Sequence, residues 1–294
     1  MLARLLAALV LLVAWAPLPA VAKAFQSDKI SVETVGSGAD VVLVHGLRSS
    51  RDVWRQLVKD VPGHRYHLVQ INGFAGLPAG GNGGTGPLVA PVADEIARYI
   101  GVAGLQRPAL IGHSMGGSIG LMVAARHPAS IARLMVVDMV PFMGALFGNP
   151  NATAEELRPM ASQMRDRIAT EPVAVRRAQM EATIATMVKT EALRAAPVEH
   201  GMASDPAVSA RGMYDLITTD LRPELGRIQV PVTVLYVRSP ALPITDAQME
   251  AFYKAAYAAV PAATLTRIPD SYHFIMFDQP TRFAADVRRF LGED

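Results

Sequence analysis

The chain has 294 residues, 51% of them apolar and 18% charged, and its 28 basic and 26 acidic side chains leave a formal net charge of +2. That length and composition describe a globular protein with a sizeable core, built as one large domain or one domain with an insertion. No basic tract offers a nucleic-acid surface, and the absence of cysteine excludes disulfides, thiolate metal sites, a cysteine nucleophile and an acylated N-terminal cysteine.

The first residues carry a targeting pattern. Arg4 precedes an uninterrupted apolar run over 5–16, Pro17 and Pro19 break it, and Ala20-Val21-Ala22 follows as a small-x-small site. The pattern predicts a secretory signal peptide over 1–22, cut after Ala22, and a periplasmic or secreted mature protein. Retention as an anchor is the alternative, but the run is shorter than the roughly 20 residues a spanning helix needs. No later stretch is long enough, so no stable membrane span is expected after cleavage.

Strands and helices then alternate. Residues 29–35 read as an edge strand. Residues 41–45 form a continuous apolar run, the pattern of a strand covered on both faces. A helix is expected over 52–61, with Trp54, Leu57, Val58 and Val61 on one side, and a strand over 66–71. The glycine-rich stretch 72–86 reads as a loop. A helix over 89–100, a strand over 108–111, a helix over 115–126 and a strand over 132–137 follow, the last ending at Asp138.

There the alternation stops. Residues 141–221 show no strand pattern, and helices are expected over 154–170 and 174–195, with methionines at irregular spacing. The alternation resumes with a strand over 232–237, a helix over 246–259, a strand over 263–268 and a helix over 279–291. This order predicts an α/β core over 23–140 and 222–294, with a mostly parallel sheet flanked by helices. Residues 141–221 form a helical cap.

Three motifs carry chemistry. Gly112-His113-Ser114-Met115-Gly116 is a G-x-S-x-G elbow between a strand and a helix. Its serine is expected on a strained turn, and the N-terminus of the helix points at a developing oxyanion. His273 lies between the last strand and the last helix, where a general base for Ser114 belongs in the order serine, acid, histidine. His45-Gly46 ends an earlier strand. His45 is expected to hydrogen-bond within its loop, and His113 to form a wall of the site.

In this order the motifs resemble the α/β-hydrolase superfamily, in its serine esterase-like branch, over nearly the whole mature chain. The resemblance implies a helical cap inserted after the sixth strand, and an oxyanion hole made by the backbone N–H groups of Leu47 and Met115. A serine nucleophile argues against relatives that use aspartate.

The family pattern breaks at the acid. No carboxylate follows the strand over 232–237, where Arg238-Ser239-Pro240 stands instead. Asp246 is the first one available and is expected to cap a helix, leaving it the alternative acid. Asp138 is the preferred acid. The resemblance to a group of small esterases implies that Ser239 assists it at the usual acid position. Phe74 either touches substrate or packs. The glycines over 80–84 lack the Gly-Lys-Ser/Thr ending of a phosphate cradle and read as a mobile rim of the site.

The reading is an exported hydrolase of carboxylic esters with an apolar acyl or alcohol group, acting on a small molecule without metal or cofactor. Lactone hydrolysis and cofactor-free haloperoxidase-type perhydrolysis are the rival chemistries. A non-catalytic binding protein of the same fold is the rival from another class. The sequence leaves the number of subunits open.

Overall fold

A computed structural model describes residues 25–147, 149, 151–238, 242–261 and 263–293. The segment read as a signal peptide and Ser239 lie outside the described residues. Seven strands form one sheet: β1 (Ile30–Gly36), β2 (Ala39–Val44), β3 (His64–Ile71), β4 (Ala109–His113), β5 (Arg133–Val137), β6 (Val232–Tyr236) and β7 (Ala263–Arg267). Their order is β1-β3-β2-β4-β5-β6-β7. β1 runs antiparallel to β3 at the edge, and every other pair is parallel.

The apolar run in β2 is covered on both sides because successive side chains point to opposite faces of a strand. Val42 and Val44 join one apolar layer, and Val41 and Leu43 the other. The first layer is closed by α2 (Val89–Val102), α3 (Met115–Arg126) and α8 (Asp246–Ala256). The second is closed by α1 (Arg55–Asp60), α9 (Ile275–Asp278) and α10 (Pro280–Leu291). The parallel strands all end at one edge of the sheet, so the loops after β2, β4, β5, β6 and β7 converge there.

Between β5 and β6 the chain leaves the sheet and builds α4 (Ala154–Thr170), α5 (Val173–Met187), α6 (Ala195–Ala203) and α7 (Pro206–Thr218). Among the described residues five strands precede this insertion, so it follows the fifth rather than a sixth. The helix expected over 174–195 stops at Met187, because Val188 turns extended (φ −125°, ψ 114°) and the chain crosses to the loop that holds His273.

α7 is tied firmly to the core. The Asp215 carboxylate accepts from the N–H groups of Leu88 (2.6 Å) and Val89 (3.0 Å). It thereby caps α2, whose own N-cap Leu88 offers no side-chain acceptor. Asp205 N–H donates to Gly73 O at 2.7 Å, and Ala75 N–H to Ser204 Oγ at 3.0 Å. The first part of the glycine-rich stretch over 80–84, expected as a mobile rim, is tied down, while Gly83 and Gly84 are exposed. Gly81 N–H bonds Asp28 O at 2.8 Å, and the buried Asn82 side chain donates to Lys29 O (2.8 Å) and Asn72 O (3.0 Å). The stretch is packed onto the N-terminal segment because its backbone groups find partners there. Among the described residues no helix is long and apolar enough to cross a membrane.

Candidate active site

Ser114 sits between β4 and α3 with φ 54° and ψ −122°. A left-handed φ at a residue with a side chain costs on the order of 1–3 kcal/mol and persists only where the surroundings hold it. They do so here by close packing. A Cβ on Gly112 would stand 2.1 Å from Gly116 O, and one on Gly116 would stand 2.2 Å from Val44 O. Only glycine fits either position, so both elbow glycines are steric requirements of the turn. Ser114 N–H is anchored on Val137 O at 2.9 Å.

The convergent loops bring His273 and Asp138 together across 135 residues. His273 Nδ1 and Asp138 Oδ2 are 2.6 Å apart, a short hydrogen bond to a carboxylate. Asp138 also has a left-handed φ, 53°, which re-aims its carboxylate at the end of β5. Its other oxygen accepts from Val237 N–H (3.0 Å) and the Tyr253 hydroxyl (3.2 Å). The ring of His273 lies 4.6 Å from the ring of His113, the residue before Ser114. No hydrogen bond joins Ser114 Oγ to His273 among the described residues; such bonds are often long before substrate binds.

Tyr253 is a partner that no sequence motif signals. It is fully buried in α8 and stacks on Tyr236 at 4.2 Å. Burial, with the Asp138 charge beside it, pushes its phenol well above the ordinary tyrosine range, so it stays a donor to the carboxylate. A tyrosine on an amphipathic helix gives no local sign of such a role.

Among the described residues the N–H groups of the two expected oxyanion donors have no partner. Met115 opens α3, where the first N–H groups have no partner inside the helix, and no main-chain carbonyl accepts from Leu47 N–H among the described residues. His45 is buried, donates from Nδ1 to Gly46 O (2.7 Å) and accepts from Ile71 N–H at Nε2 (3.1 Å). Both nitrogens are occupied, and burial holds the imidazole down at about 4. His113 is likewise buried, and burial together with the neighbouring His273 keeps it well below the usual histidine range. Its Nε2–H donates to His273 O at 3.0 Å. Phe74 is wholly buried and meets the His45 ring edge-on at 6.1 Å.

Asp246 stands elsewhere, in ion pairs with Arg238 (2.6 Å) and Arg267 (3.0 Å). The helix cap expected of it belongs to Thr245, which forms a capping box with Gln248. Over the elbow lies Gly212 of α7. A Cβ there would stand 2.6 Å from Leu47 Cδ1 and 3.6 Å from Met115 Sδ, so the cap touches the side chains of both oxyanion candidates. No group of three or more His, Asp or Glu side chains is arranged to hold a metal among the described residues.

A family model described as "Alpha/beta hydrolase family" matches residues 41–286. The chain belongs to the α/β-hydrolase family. Curated relatives include a pimeloyl-[acyl-carrier protein] methyl ester esterase from Edwardsiella ictaluri, 27% identical over 87% of this chain and 95% of that protein. Another of the same name, from Nitrosomonas europaea, is 25% identical over 87% and 97%. Among solved structures, an esterase from Exiguobacterium antarcticum superposes with a TM-score of 0.74 at 19% identity, covering 89% of this chain and 95% of that one. An enol-lactonase from Burkholderia xenovorans LB400 gives 0.71 at 20%, covering 89% and 96%. In this α/β-hydrolase the site lies at the carboxyl edge of the sheet, beneath the inserted helices.

Proposed function

We propose that the protein is an exported serine hydrolase that cleaves carboxylic esters with an apolar acyl or alcohol group, through an acyl-enzyme on Ser114. The observation that carries the reading is the 2.6 Å contact of His273 with Asp138, beside a serine on a strained elbow whose neighbouring N–H groups are free. His273 takes the Ser114 proton as the hydroxyl attacks the ester carbonyl. Asp138 holds the imidazole in the Nδ1–H tautomer and stabilises its charged form. The N–H groups of Leu47 and Met115 receive the oxyanion. His273 then protonates the leaving alcohol, and water, activated by the same base, releases the acid. The esterase names of the curated relatives support this chemistry. Export rests on the pattern of the first 22 residues.

The test is a fluorophosphonate probe and a panel of p-nitrophenyl esters and lactones on the mature protein. The wild type is expected to be labelled at Ser114 and to turn over esters. Ser114→Ala is expected to lose labelling and at least about 10⁴-fold in kcat. An unlabelled, inactive wild type overturns the reading.

A further inference from the structure

His273 is held from two sides. On the core side its carbonyl accepts from His113 Nε2–H at 3.0 Å. On the other side the main chain flanking it is tied to the cap. Phe274 N–H donates to Met187 O, at the end of α5, at 3.1 Å. Tyr272 N–H donates to the Asp278 carboxylate at 2.9 Å. That same carboxylate accepts from the cap N–H groups of Lys189 (3.0 Å) and Thr190 (2.8 Å). Lys189 Nζ adds an ion pair with Asp270 at 3.2 Å. Val188, between these ties, is fully buried and belongs with Phe274 to the same apolar layer.

We infer that Asp278 is a positioning residue for His273, and that through it the cap holds the general base in register with Ser114. The inference rests on the esterase reading above. Its warrant is the origin of the three donors. A carboxylate needed only to shape its own loop would serve Tyr272 alone. Here two of the three N–H groups come from residues 88 and 89 positions away, in the inserted segment just after α5. One carboxylate that receives backbone N–H groups from both segments couples the crossing from α5 to the turn before His273. Displacement of α5 therefore displaces the imidazole from Ser114, and a misplacement of about 1 Å at a reacting group can cost on the order of 10²-fold.

Two variants break the tie from opposite ends. Asp278→Ala removes the acceptor. Thr190→Pro removes one donor, and the native φ of Thr190, −74°, already suits proline. Active sites are counted by exhaustive fluorophosphonate labelling, and kcat and KM on a short p-nitrophenyl ester are expressed per labelled site. The expected result is a fall in kcat of about 10- to 100-fold for Asp278→Ala and a smaller fall for Thr190→Pro. KM should stay within about 2-fold, and the double variant should lose less than the product of the two. A merely structural role would lower the melting temperature and the number of labelled sites while leaving kcat per site unchanged. That result in both variants overturns the inference and spares the esterase reading. A wild type that neither labels nor turns over overturns both.

Discussion

The sheet and the outer helices of the cap are packed to very different degrees. In β2 the side chains of Val41, Val42, Leu43 and Val44 are completely buried, and each is fixed by close packing on every side. In the cap, α4 has 17 residues and buries only Ala161, while Val173 of α5 is 66% exposed. The inner cap helix α7 is packed much better, with Val208, Ala210, Leu216 and Ile217 buried, and polar ties through Asp215, Asp205, Ser204 and Asp278 add to that packing. Each such bond contributes only about 1 kcal/mol net. The loops bearing Ser114, Asp138 and His273 spring from the well-packed layer, whereas α4 is the least buried part of the roof. The contrast teaches that the cap meets the catalytic loops at a few places, Gly212 and Asp278 among them, and is loosely packed away from them.

The sharpest way to break the comparison is at the acid. Asp138→Asn leaves the packing intact but removes the negative partner of His273, and kcat should fall by about 10³- to 10⁴-fold. Asp246→Asn, in a surface ion pair, should change it less than about 2-fold. Steady-state kinetics on one ester decide the matter, and the reverse ranking would reassign the acid.

The next effect is on stability, and it belongs to the rigid layer. His45 titrates near 4 in the fold against 6.5 for an unperturbed histidine, so between those values the unfolded chain binds the extra proton. Its contribution is fully present above pH 6.5 and is lost as pH falls toward 4, by about 3 kcal/mol. Melting temperatures measured from pH 7 to pH 4 should drop across that window, and His45→Gln should flatten the slope.

Crowding the cap should act on the reaction rather than on the fold. Gly212→Ala pushes against Leu47, so kcat/KM for bulky esters should fall about 10-fold, within the range of a methylene-sized change in a pocket. A helix-propensity gain of about 1 kcal/mol offsets the contact, so the melting temperature should hardly move. An unchanged ester profile would detach the cap from the oxyanion side. The smallest effect expected is at Tyr253→Phe. It removes one of two bonds to the outer Asp138 oxygen and should lower kcat about 3- to 5-fold, near the net value of one hydrogen bond.

Much of the layout is legible in the sequence. The strand runs alternate between two apolar layers because a period of two is written in each run, and the elbow is legible because only glycine tolerates its contacts. Other features are not. The helix expected over 174–195 breaks after Met187, since Asp278, far away in the chain, offers acceptors to the N–H groups of Lys189 and Thr190. The glycine-rich stretch over 80–84 looks mobile by composition, yet Gly81 and Asn82 in it are tied to Asp28 and Lys29. Asp246 reads as a helix cap, but Thr245 beside it takes that role.

The sequence by itself determined the order of strands and helices, the turn at Ser114 and the location of His273, because each is encoded by residues near one another in the chain. Only the tertiary structure decided which carboxylate faces His273, that Tyr253 and Val237 steady it, and that the cap is tied to the loop before His273. Those contacts join strand ends and helices about a hundred residues or more apart, or the cap to a distant loop. They depend on where the folded sheet brings these ends together, which no local pattern records.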